Sequence, residues 1–191
     1  MIMVSACHSP AHASEILEQI FERCFLATEN TRLIGGAEEP LYLPSADGQP
    51  QHRLYYREDY FASALHEVSH WCIAGQERRA QRDFGYWYEP EGRDAETQTA
   101  FLQAEARPQA VECYLSLACG YRFQLSLDSF DPENYGAMRN AFAARVAAEA
   151  SNIRQRGLPP RAALLFDALA CEYATGLSSR SLPVVSMEQL L

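Results

Sequence analysis

Asp59-Tyr60-Phe61-Ala62-Ser63-Ala64-Leu65-His66-Glu67-Val68-Ser69-His70-Trp71-Cys72 is the stretch on which the fold turns. From Asp59 to about Arg82 there is no proline and only Gly75, so the spacing predicts one helix with Asp59 as its N-cap. Phe61, Leu65, Val68 and Cys72 fall on one face of that helix. Inside it lies His66-Glu67-Val68-Ser69-His70, an H-E-x-x-H. Residues four apart on a helix share a face one turn apart, so both imidazoles can reach a single metal ion. With five His and eighteen Glu in 191 residues, chance yields the pattern in roughly 1% of shuffled chains, which lifts it above background.

The flanks predict the elements that would hold this helix. Before it, Ile16, Leu17, Ile20, Phe21 and Phe25 repeat with a helical period over Ser14–Phe25. Gly35-Gly36 reads as a break, Leu41–Leu43 as a short strand between prolines, and Arg53–Tyr56 as a second strand and hairpin partner. After it, the sequence predicts a helix from an Asp94 cap through Ala104 and another from Pro108 to a Gly120 stop. A long alanine-rich helix follows from Asp131-Pro132 to Gly157, then a last one from Pro159-Pro160 to near Gly176. The expectation is one α+β domain over residues 1–191, mostly helical with a small sheet. Residues 1 to about 13 read as a loose extension and 177–191 as a tail without period.

Composition narrows the function. A net charge of −9 argues against a nucleic-acid partner held by phosphates. No apolar run approaches a membrane span. All sixteen Lys+Arg positions are arginine, which excludes lysine Schiff bases and P-loop lysines. The six cysteines contain no C-x-x-C pair, and the first ten residues lack the basic and apolar regions of a secretory signal. A reduced, cytoplasmic protein is expected.

Two imidazoles leave a metal short of ligands. Asp83, Asp94, Glu96, Glu105 and Glu112 are the downstream candidates for a third, and Glu105 stands just before the Pro108 helix. Two His and a carboxylate fit two outcomes. With zinc they make a hydrolase, peptidase or ribonuclease, in which Glu67 deprotonates the attacking water. With iron(II) they make an oxygenase. Glu67 points off the ligand face, so its role is catalytic or orienting in either case. A structural site would want a fourth protein ligand, and none is evident. Next, Asp83-Phe84-Gly85-Tyr86-Trp87-Tyr88-Glu89-Pro90-Glu91-Gly92-Arg93-Asp94 interleaves aromatics with carboxylates. Tyr86 and Trp87 offer walls for methylenes, and Asp83, Glu89, Glu91 and Asp94 offer partners for an ammonium, a pocket suited to a long cation.

These stretches together resemble a family. His66–Gly75, Asp83–Tyr88, Gly92-Arg93-Asp94-Ala95, Asn30-Thr31-Arg32-Leu33-Ile34 and Pro108-Gln109-Ala110 look like elongation factor P hydroxylase, over about Phe21 to Tyr173. The resemblance implies an α+β fold similar to a bacterial metal-dependent ribonuclease. It implies hydroxylation of the β-lysyl-modified lysine of elongation factor P, with dioxygen as co-substrate. It also implies a non-haem iron(II) centre, with ligands falling on His66, His70 and Glu105. An N-terminal extension through about Ala13 and Glu89 in place of a common cysteine are the departures. No flavin or nicotinamide fingerprint is present, so the reductant is external to these motifs.

Overall fold

A computed structural model describes residues 11–46, 48–83, 95–127 and 134–191, and the side chains of residues 95 and 96 lie outside that description. Helix α1 (Ser14–Glu29) buries Leu17, Ile20, Phe21 and Phe25 along one stripe. It ends at Asn30, whose left-handed backbone stops the helix and whose side-chain amide donates to the Pro50 carbonyl at 2.7 Å. Strand β1 (Thr31–Ala37) follows, where the Gly35-Gly36 pair had read as a break. The glycine is there for a close approach. A Cβ on Gly35 would lie 2.6 Å from the Tyr56 hydroxyl, and Glu18 accepts hydrogen bonds from both the Gly35 N–H and that hydroxyl.

Strands β2 (Leu41–Leu43) and β3 (His52–Arg57) form the expected antiparallel pair, with Tyr42 opposite Leu54. β3 is central and also pairs in parallel with β1, in the order β1-β3-β2. The sheet is thus three strands, covered by α1 against β1 and by the next helix against β3.

That helix, α2 (Phe61–Ile73), is shorter than its sequence predicts. Its N-cap is Tyr60 rather than Asp59, and the backbone turns extended at Ala74 before a single turn, α3 (Gln76–Arg79). Two tertiary contacts impose the break. Asp83 must return to the sheet edge, where its N–H and carbonyl pair with Tyr42 at 3.0 and 2.7 Å. Arg161 meanwhile donates to the Trp71 and Cys72 carbonyls at 2.9 and 3.3 Å and to that of Ala74, taking up the acceptors at the helix end. Trp71 packs between Phe21 and Phe25, ring centroids 5.0 and 4.8 Å away, with the Arg161 guanidinium 4.7 Å over its ring. This pinning fixes the rotation of α2.

Helix α4 (Ala95–Cys119) corrects a second expectation: the two helices meeting at Pro108 are one 25-residue helix with Pro108 inside it. Pro108 forfeits one backbone hydrogen bond and is retained because the helix is buried around it, through Ala106, Ala110, Val111, Tyr114 and Leu115. α4 stops at Gly120 in a left-handed conformation, with Tyr121 N–H donating to Ser116 at 2.8 Å and Gly120 N–H to Leu117 at 3.1 Å. Helices α5 (Tyr135–Arg156) and α6 (Pro160–Glu172) pack on α4. The final residues place Leu182, Val185 and Leu190 in the core, with α7 (Met187–Leu190) closed by a Ser186–Gln189 capping box. At the other end the His12 ring stacks on Tyr173 and its Nε2 donates to the Cys119 carbonyl at 2.8 Å. The described cysteines are all free, and Cys72, Cys113 and Cys119 are buried as small apolar groups. Among the described residues no helix is long and apolar enough to cross a membrane.

Arg161→Met keeps the apolar stem and removes the donors. The expected loss is about 2 kcal/mol, read from the denaturant midpoint, because several carbonyls at the end of α2 lose a charged partner. A variant as stable as the parent would show that water serves those carbonyls equally well.

Candidate metal centre

The rotation fixed by Trp71 turns the His66–His70 face of α2 toward α4. His66 and His70 lie one turn apart with ring centroids 4.7 Å from each other and their Nε2 atoms at 3.2 Å. α4 brings Glu105 to the same point: one carboxylate oxygen is 3.6 Å from His66 Nε2 and the other 3.3 Å from His70 Nε2. All these donor atoms fall within 4.8 Å of one another. Bonds of about 2.1 Å from a central ion give ligand–ligand edges of about 3.0–3.4 Å, so the spacing is that of a coordination shell. Two imidazole nitrogens at 3.2 Å also repel through their lone pairs unless a proton or cation lies between them.

Charge points the same way. Glu105 and Glu112 are 5% and 7% exposed, and Glu67 stands beside them on α2. Three carboxylates around two imidazoles leave this interior negative even with His66 protonated, which a divalent cation would offset. Burial raises the Glu67 carboxyl above its ordinary value. Burial also works to raise Glu105, but its hydrogen bond to His70 and the two imidazoles outweigh this and hold it low. Burial works against charge on His66, yet the Glu112 carboxylate prevails and pushes the imidazole up to about 10. Glu112 accomplishes this from the far side of the ring, its oxygen 2.8 Å from Nδ1. The donor set therefore fits a divalent metal that prefers nitrogen and oxygen, with open positions left beyond the three protein ligands.

Of the residues singled out in the sequence, the fold brings His66, His70 and Glu105 together. Glu67 sits next to them, lining with His70 a cleft walled by Leu41, Tyr42, Leu54 and Trp71. Asp83 also lines that cleft, but its carboxylate is engaged by the Arg78 guanidinium, which compensates its charge. Tyr86, Trp87, Glu89, Glu91 and Asp94 lie outside the described residues, as does the Glu96 side chain. Glu112 belongs to the site but faces Nδ1 of His66, away from the convergent atoms.

Gln109 was overlooked in the sequence. Its amide nitrogen donates to the Ser126 carbonyl at 2.7 Å, its oxygen accepts from the Ser126 N–H at 3.1 Å, and it also hydrogen-bonds Glu105. Residues 105, 109 and 112 follow helical spacing, a signal hidden only by reading Pro108 as a helix start.

A family model described as elongation factor P hydroxylase matches residues 20–181. The chain is also similar to a curated protein of Haemophilus influenzae named elongation factor P lysine hydroxylase. The two are 42% identical over 164 residues, which cover 86% of this chain and 91% of the relative.

Because metal-free His66 is protonated up to about 10, a metal must displace its proton at neutral pH. Apparent zinc affinity is expected to climb about tenfold per pH unit from about pH 6.5 to 8.5, measured by competition with a chelator of known affinity. A histidine of ordinary pKa would be deprotonated above about pH 7 and would make affinity level off there. A flat profile above pH 7 would show that Glu112 does not hold a proton on metal-free His66.

Proposed function

The chain belongs to the elongation factor P hydroxylase family, and from that premise we propose that it hydroxylates the β-lysyl-modified lysine of elongation factor P as a non-haem iron enzyme. The observation that carries the reading is the meeting of His66 Nε2, His70 Nε2 and the Glu105 carboxylate at one point. These three residues would hold iron(II). The bound iron would supply the activation of dioxygen, with electrons from an external reductant. The three-ligand set suits this role, since it leaves room for an oxygen-derived ligand and a substrate beside it.

The remaining residues serve the substrate. The cleft walled by Leu41, Leu54 and Trp71 is small, about 30 Å³, and would take only the tip of a lysyl arm. Glu67, which lines the cleft with His70, would accept a hydrogen bond from an ammonium or a polar group of the arm and so fix which carbon faces the centre. The net charge of −9 draws a doubly cationic arm toward the chain. Asp83, Glu89, Glu91 and Asp94, with Tyr86 and Trp87, are proposed to extend that attraction, and Arg78 tempers the contribution of Asp83. Modification of a translation factor would take place in the cytoplasm, without a membrane or a direct nucleic-acid contact.

The test is anaerobic loading with iron(II), then exposure to dioxygen, a chemical reductant and β-lysylated elongation factor P. The expected result is a partner heavier by one oxygen atom, with no cleavage. His66→Ala and His70→Ala should each lose both metal and product, and Glu105→Ala should lose product and hold metal only when it is supplied in excess. Glu67→Gln should keep its metal and lose rate, since it orients substrate without binding the ion. Cleavage of the partner with zinc bound would establish a hydrolase instead. Neutralising Glu89 or Glu91 to the amide should raise KM with kcat little changed, and the salt dependence of kcat/KM should weaken. Identical KM in these variants would remove the acidic segment from the substrate path.

A further inference from the structure

The two imidazoles of the centre are held differently. His66 Nδ1 lies 2.8 Å from the Glu112 carboxylate, while His70 Nδ1 is buried without a hydrogen-bond partner among the described residues. Glu112 is itself 7% exposed and projects from the same α4 helix that carries Glu105, two turns further on. An imidazole offers one nitrogen as donor and the other as acceptor. A carboxylate at Nδ1 can only accept, so Nδ1 keeps its proton and Nε2 is the nitrogen that offers its lone pair to a cation. Nε2 is the nitrogen that faces His70 and Glu105.

We propose that Glu112 is a positioning residue of the centre, fixing the tautomer and ring plane of His66 so that its Nε2 lone pair points at the atom shared with His70 and Glu105. This rests on the reading of those three residues as metal ligands. Glu112 is not a fourth ligand, because the two ring nitrogens diverge and its oxygen is on the Nδ1 side. Its negative charge also strengthens the imidazole as a donor to a cation. α4 then has two duties on one face: Glu105 supplies a ligand, and Glu112 orients a ligand that comes from α2. Slippage of α4 along α2 would disturb both together.

Three variants separate positioning from ligation and from mere packing. Glu112→Leu fills the space and removes the acceptor. Glu112→Gln keeps an acceptor for Nδ1–H. Glu105→Ala removes a ligand. Each is loaded with zinc and challenged with excess chelator, a measurement that starts from the metal-bound state and is untouched by the proton His66 holds when metal-free. Zinc release from Glu112→Leu should be about 10–100-fold faster than from the parent, and Glu112→Gln should recover most of the difference. With cobalt(II) in place of zinc, both Glu112 variants should retain the visible absorption envelope of the parent, since the ligand set is unchanged. Glu105→Ala should alter it.

Release from Glu112→Leu at the parental rate would overturn the proposal. So would a cobalt spectrum shifted in the manner of Glu105→Ala, which would make Glu112 a ligand. If Glu112→Leu does not fold, the zinc-loaded parent decides alone. Nitrogen-15 correlation spectra of its histidines should show His66 protonated at Nδ1 and metal-bound at Nε2, and the reverse would refute the inference. A parent that binds neither zinc nor cobalt would overturn the metal reading beneath it, an outcome distinct from all of these.

Discussion

The structure is organised around the burial of carboxylates beside imidazoles at the seam between α2 and α4. Glu105 and Glu112 are almost inaccessible to water, and Glu67 is close to both. Interior charge of one sign is costly unless something of the opposite sign is supplied. Histidine can supply it by protonation, as the upward shift of His66 shows, or both imidazoles can share a cation. The seam holds because the helices on either side are anchored elsewhere. Trp71 and Arg161 fix α2 from behind, and Tyr114, at full burial, ties α4 to the Ala150 carbonyl of α5 at 3.0 Å. The energy that keeps the charges together comes from apolar packing remote from them.

This division explains what could be read from residues alone. His66 and His70 were legible because their relation is internal to one helix, and i, i+4 spacing fixes it before any packing. Glu105 emerged as one of five acidic candidates, since its approach depends on how α4 lies against α2. Glu112 stood in the same set, and its actual place at Nδ1 follows from helical continuity through Pro108. Local propensity treats an internal proline as a start, and burial on all sides overrides that rule here. The shortened α2 has the same kind of origin: Arg161 comes from a helix almost ninety positions later, with its contact to Trp71 spanning 90 residues. β1 was missed because Gly35-Gly36 reads as a break, whereas the first glycine is there to admit the Tyr56 hydroxyl. The prolines around Leu41–Leu43 and the Arg53–Tyr56 run after it, by contrast, marked β2 and β3 as a pair.

The cleft beside the seam is small and graded in character. Its lining is apolar at Leu41, Leu54 and Trp71, polar at Glu67 and His70, and includes the paired Arg78 and Asp83. Pairing of Arg78 with Asp83 keeps one acid from acting as a strong local trap. Attraction of substrate would then rest more on the charge of the whole chain than on any single carboxylate.

X-ray absorption at the iron edge of the anaerobically loaded protein tests the central claim most directly. Two imidazoles and a carboxylate require a shell of nitrogen and oxygen at about 2.1 Å, with the outer-ring scattering of two histidines and no sulfur. A sulfur shell, or scattering from a single imidazole, would contradict the assignment of His66, His70 and Glu105.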